Sequence, residues 1–165
     1  MIDKDAILNF VANRISKEEF AKKYPELTSN PGDLVNEFLE QADKEKNAEL
    51  LENILIIGFR FEAFAQIQAK ILSKLIAETW HYKHEDIARI LQKLKDPYSV
   101  DFVVKALHTK HDYLEYNNEY ALINKCVRVL SGINTNNAKE QLQLLAASKN
   151  ELLKEAALKQ LHKFE

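Results

Sequence analysis

The sequence predicts an all-α protein of about ten helices, because its apolar residues recur three and four positions apart instead of alternating. Gly and Pro are scarce, three of each in 165 residues, which leaves little material for hairpin turns. Helix-start signals precede several of the periodic runs. At this length one domain, residues 1–165, can bury roughly two-thirds of the surface its unfolded chain exposes, so its core needs neither metal nor disulfide.

The first helix is expected over residues 4–13, with Ile7, Leu8, Phe10 and Val11 on its apolar side. Ser16 and Glu19 have capping-box spacing, and Ile15 with Phe20 is placed as the accompanying hydrophobic staple. Pro25 disfavours a helical Tyr24 and so keeps this second helix short. Asn30-Pro31 reads as N-cap and first helical residue of a third, in which Leu34, Val35, Phe38, Leu39 and Ala42 face inward. Asn47 caps a fourth, whose stripe of Leu50, Leu51, Ile54, Leu55 and Ile57 runs up to Gly58, read as a left-handed terminator. A fifth spans residues 62–77 through Phe64, Ile67, Ile71, Leu72, Leu75 and Ile76.

The second half repeats itself. Ile90-Leu91 and Leu94, followed by the polar Lys95-Asp96-Pro97 and then Ser99, match Val129-Leu130 and Ile133, followed by Asn134-Thr135-Asn136 and then Ala138, at an offset of 39 residues. Helix-turn-helix units of roughly 30 to 47 residues are the mark of an α-solenoid, in which neighbouring antiparallel helix pairs stack to complete each other's core. Residues 61–163 are therefore expected to form repeats and residues 1–60 a helical cap.

The run Leu130-Ser131-Gly132-Ile133-Asn134-Thr135-Asn136-Asn137-Ala138, with Leu142, Leu145, Asn150, Ala156, Ala157 and Leu161 after it, resembles a HEAT-type repeat. The segment from Leu91 to Val104 is similar but has Lys93 and Lys95 near the turn where the glycine would stand, and the Val-Arg pair of the family's second helix is absent. More narrowly, Trp80 to Ile87, Leu91 to Pro97 and Tyr113 to Tyr116 look like small bacterial HEAT-repeat proteins placed among candidate immunity proteins of polymorphic toxin systems. The resemblance implies a protein partner, a cognate toxin, and no catalytic residue; a fold of this kind does not by itself specify a reaction.

Two segments depart from bland repeat turns: residues 79–86 and residues 108–119. Together they hold the only Trp, three of the six Tyr and four of the five His, so the rare residue types are concentrated there. In a solenoid the two turns would lie side by side along one edge, where insertions tend to bind. Trp80, His81, Tyr82, His84, Glu85, Asp112, Tyr113, Glu115 and Tyr116 are accordingly the expected partner-binding residues, since aromatic rings with polar tips suit an interface centre. The competing reading folds the rings inward to plug the ends of the helical layers. His81 with His84 and His108 with His111 share a three-residue spacing that four-nitrogen metal binding could use, but there is no Cys partner and no HExxH, so the assignment is no metal and no cofactor.

Other classes fit less well. Four arginines (Arg14, Arg60, Arg89, Arg128) and a net charge of -2 lack the electrostatic footprint of nucleic-acid binding. No P-loop, GxGxxG or GxSxG occurs, and Cys126 lies in helix-periodic sequence as a buried, reduced thiol of a cytoplasmic protein. The charged N-terminus and an apolar run no longer than residues 54–59 disfavour secretion and membrane insertion. The expectation is a non-catalytic protein-binding module, most specifically an immunity protein. The alternatives are a general scaffold subunit or an enzyme on a HEAT scaffold, such as a nucleic-acid base glycosylase or a chromophore lyase.

Overall fold

The computed structural model describes residues 1–164, and every regular element among them is helical. The chain forms two compact units, Met1–Ile71 and Leu72–Glu165.

The first unit contains α1 (Lys4–Val11), α2 (Lys17–Lys23), α3 (Glu26–Ser29), α4 (Pro31–Glu45) and α5 (Ala48–Arg60). The Ser16–Glu19 capping box forms in both directions, with Ser16 Oγ accepting from Glu19 N at 3.1 Å and Glu19 Oε2 from Ser16 N at 2.8 Å. Asn47 caps α5 through Leu50 N at 3.0 Å. Asn30 instead donates its amide to the Asp33 carboxylate, so α4 starts on Pro31 without a side-chain cap. Phe10 stacks on Phe20 at 4.4 Å between centroids, and Tyr24 and Phe38 extend this aromatic core. Arg60 closes α1 from the end of α5: its guanidinium donates to Phe10 O at 2.8 Å and Val11 O at 3.2 Å, satisfying carbonyls that the helix end leaves over. Leu8, expected inside, is 41 % exposed, because the narrow inward stripe of so short a helix is filled by Ala6, Ile7 and Phe10.

Two expectations fail here for physical reasons. Gly58 does not end its helix: α5 continues to Arg60, and the left-handed residue is Glu62, at φ 50°. Ala63 N then donates to Gly58 O at 2.9 Å and Glu62 N to Phe59 O at 3.3 Å, a Schellman closure built on a glutamate. Glycine is needed at 58 for another reason, since a Cβ there would lie 2.3 Å from Phe64 Cζ. The expected helix over 62–77 also shrinks to α6 (Ala69–Ile76), preceded by a 3-10 turn, Gln66–Gln68. The fully buried Gln68 holds the non-helical approach in place, accepting from Ala65 N at 2.7 Å and donating to Gly32 O at 2.6 Å and Ala63 O at 3.2 Å.

Gly58→Ala is therefore expected to destabilise the protein by about 1–2 kcal/mol, overpacking outweighing the better helix propensity of alanine. Urea denaturation reads this directly. In a Phe64→Ala background the same change becomes neutral or stabilising, and an unchanged penalty there would refute the steric cause.

The second unit contains most of α6, then α7 (His84–Leu94), α8 (Val100–His108), α9 (Tyr120–Ile133), α10 (Asn136–Ala146) and α11 (Glu151–Leu161). α9 is central, packing against α7, α8, α10 and α11. Its buried residues, Leu122, Ile123, Cys126, Val127, Val129, Leu130 and Ile133, fit a helix covered on several sides. The 39-residue offset is visible in the backbone. Lys95 and Asn134 both turn left-handed, at φ 54° and 56°, and the next residues, Asp96 and Thr135, both accept a cap hydrogen bond from the chain beyond. Among the described residues no helix is long and apolar enough to cross a membrane.

Candidate functional site

The segment between α6 and α7 and the segment between α8 and α9 meet through a chain of rings. His81 stacks on His84 at 4.3 Å between centroids, His84 lies 4.1 Å from His111, and Tyr82 meets Tyr113 edge-on at 5.3 Å. Trp80 abuts His81 at 5.0 Å. Residues about thirty apart in sequence therefore share one edge of the second unit.

The local cause is that each imidazole reaches back to a backbone carbonyl at or just beyond the preceding helix end, where intrahelical donors run out. His81 Nε2–H donates to Leu75 O at 2.7 Å while its Nδ1 accepts from Lys83 N at 3.1 Å. His84 Nε2–H donates to Glu78 O at 2.6 Å, and its Nδ1 accepts the Tyr113 hydroxyl proton at 2.7 Å. The same Tyr113 oxygen accepts from His84 N at 3.3 Å. His111 Nε2–H donates to Ala106 O at 3.1 Å, and its backbone N–H donates to Glu119 Oε1 at 2.5 Å. The bonds of His81 and His84 each select the neutral Nε2–H tautomer.

Electrostatics agree with that tautomer at His84. Burial, reinforced by His81 and His111 beside it, pulls its pKa from 6.5 to about 3, against the favourable bond to Glu78 O. Burial likewise pushes the Tyr113 hydroxyl up to about 12, so it remains a donor at neutral pH. The Cys126 thiol is fully buried in α9 and is also pushed up to about 12, which keeps it protonated and unreactive.

The nine expected partner-binding residues divide into three groups. His81 and His84 are completely buried and present no surface, because both rings turn inward to backbone carbonyls. Glu85 is half-buried and bonded to Lys125 Nζ at 2.6 Å, tying α7 to α9, and Trp80 and Tyr113 are also half-buried. Tyr82 at 66 % exposure and Tyr116 at 79 % stand out into solvent with the carboxylates of Asp112 and Glu115. Lys110 Nζ lies 3.5 Å from each of those carboxylates. Sequence reasoning did not single out Lys125 and Glu119, whose charge alone carried no signal for it. His108, the remaining histidine of the two segments, is exposed and bonded through Nδ1 to Val104 O at 2.9 Å.

Chemically the site offers rings and carboxylates on a rigid base. Among the described residues no three His, Cys, Asp or Glu side chains surround a common point where a metal could sit. An open groove of about 330 Å³ runs beside the exposed carboxylates, bordered by Leu107, Lys110, Glu115, Asn118 and Ile123. No family model, curated protein or solved structure matches the chain.

Proposed function

We propose that the chain is a non-catalytic protein-binding module, an immunity protein that occludes a cognate bacterial toxin in the cytoplasm. Its second unit is read as a HEAT-like α-solenoid. That reading draws on the repeated Lys95-Asp96 and Asn134-Thr135 turns and on the serial contacts of α7, α9 and α11 with α8 and α10 alongside. The observation that carries the function is the exposed rim of Tyr82, Asp112, Glu115 and Tyr116 mounted on the buried histidine stack. Tyrosines with few rotatable bonds lose little entropy on docking, and a base already hydrogen-bonded needs no rearrangement. The carboxylates suit a partner surface carrying lysine or arginine.

The test uses the two solvent-exposed rings, because Tyr113 also supports the fold. With the product of a toxin-domain reading frame beside this gene as partner, the Tyr82→Ala, Tyr116→Ala double variant should bind about 30-fold more weakly by calorimetry, as loss of interface anchors does. Unchanged affinity with an unchanged circular dichroism spectrum refutes the rim as the interface.

A further inference from the structure

Residues 77–83 and 109–119 contain no α-helix and are fastened to the rest of the second unit largely through imidazoles. The first segment bonds back to the end of α6 through His81 Nε2 and Leu75 O, and the start of α7 grips it through His84 Nε2 and Glu78 O. The second is held by His111 Nε2 on Ala106 O, by the Tyr113 hydroxyl on His84 and by the buried Leu114. The helices beneath keep a core of their own, with Val127, Val129 and Leu130 buried on α9 and Leu142 and Leu145 on α10.

The stack suits uncharged rings. His84 is completely buried between His81, at 4.3 Å, and His111, at 4.1 Å. A proton added at His81 Nδ1 would face the Lys83 N–H that already donates there, and one added at His84 Nδ1 would oblige Tyr113 to turn its own proton away. Adjacent imidazolium rings at these distances repel strongly, since burial removes the water that would screen them. The groups acting on His84 are His81, His111 and the Glu78 carbonyl, and none of these is a carboxylate. Glu85, Asp86 and Glu119 face the Tyr113 side, where Lys125 of α9 pairs with Glu85 and the His111 N–H bonds to Glu119. On the outer surface Lys110 pairs with Asp112 and Glu115, and His108 of α8 is bonded to Val104 O. The closed stack therefore accepts at most one proton, whereas released rings titrate near the ordinary value of 6.5.

We propose that the stack is a proton-operated latch: uptake of two further protons frees residues 77–83 and 109–119 together, while α9, α10 and α11 stay folded. Contact among three rings makes the release concerted, which one buried histidine alone cannot do. The latch is a property of the chain itself and stands apart from whatever partner the rim takes.

Amide hydrogen exchange of the intact ¹⁵N-labelled chain tests this at pH 6 and pH 5, with rates corrected for the intrinsic chemistry of exchange. The His84, His111, Leu114 and Glu119 amides, each bonded within or between the two segments, report the latch, and Val127 and Val129 in α9 report global unfolding. The opening constant of the first set should rise about 60-fold from pH 6 to pH 5, the square of the about 8-fold rise that one proton gives. It should also be insensitive to dilute urea, which speeds exchange of the α9 amides because only global unfolding exposes a large surface. In His84→Gln the middle titrating ring is gone, and the rise should shrink to about 8-fold or less. A one-proton rise in the unsubstituted chain, an unchanged rise in the variant, or the same opening constant and urea dependence for both sets of amides would overturn the latch.

Discussion

His84→Ala is expected to cost about 3–5 kcal/mol of stability, a large part of what a domain of this size possesses. The substitution removes a completely buried ring that makes three separate connections. Glu78 O loses its donor, the Tyr113 hydroxyl loses its acceptor, and His81 and His111 lose the ring between them. An unpaired buried polar group costs about 1–3 kcal/mol by itself, and the cavity adds a comparable amount. His108→Ala is the matching control. That ring is exposed and its bond to Val104 O is replaceable by water, so its loss should stay within about 0.5 kcal/mol. Urea melts of both variants decide the point, and equal small losses would mean that the stack carries no weight. The effect should reach the surface as well: Tyr113, released from His84, no longer fixes the edge-on contact that holds Tyr82 upright. In His84→Ala, partner affinity should therefore drop although His84 touches no solvent.

Much of this arrangement was legible where the information is local. The capping box at Ser16, the cap at Asn47 and the inward stripe of Val35, Phe38, Leu39 and Ala42 depend on spacing within a few residues, which a sequence states outright. The juxtaposition of the two ring-rich segments also followed, because it needs only the order of helices and the 39-residue offset. What spacing could not say was which rings turn inward. His81 and Tyr82 are neighbours of similar amphipathic character, yet one is fully buried and the other 66 % exposed. The difference is set by a carbonyl six residues back, at Leu75, whose position exists only once α6 has ended.

Helix ends were misread for a related reason. The chain places none of its glycines at positive φ and closes helices instead on Asn13, Lys46, Glu62, Lys95 and Asn134. A left-handed conformation at a residue with a side chain costs about 1–2 kcal/mol, so glycine is the natural guess for a terminator. Gly58 is reserved for the approach of Phe64, where a Cβ would clash. That need arises from a tertiary contact, which outranks the local rule. Gln68 shows the same ordering: it has good helix propensity, yet as a buried amide it binds Ala65 N and Ala63 O of a non-helical strap and Gly32 O of α4.

Mild acid should loosen the second unit well before carboxylate protonation contributes. His84 has an ordinary pKa of 6.5 and a folded value of about 3, so between those limits the unfolded chain binds the extra proton. Stability is then complete above about pH 6.5 and falls with pH by up to about 1.4 kcal/mol per unit, reaching a loss of about 2 kcal/mol by pH 5. The groups facing the ring do not reverse this sign. His81 and His111 oppose a charge on it, Tyr113 stays protonated throughout, and Glu85, Asp86 and Glu119 lie on the Tyr113 side without lifting the folded value. The depressed carboxyls of Asp3, Glu19 and Glu45 also lose stability in acid, but only as pH falls below their ordinary values of 3.8 to 4.5. Urea midpoints measured from pH 7.5 to 4.8 isolate the histidine contribution. In His84→Gln, whose amide can still donate to Glu78 O but cannot titrate, the slope over that range should shrink by about one proton. An identical slope in the variant would place the acid sensitivity elsewhere.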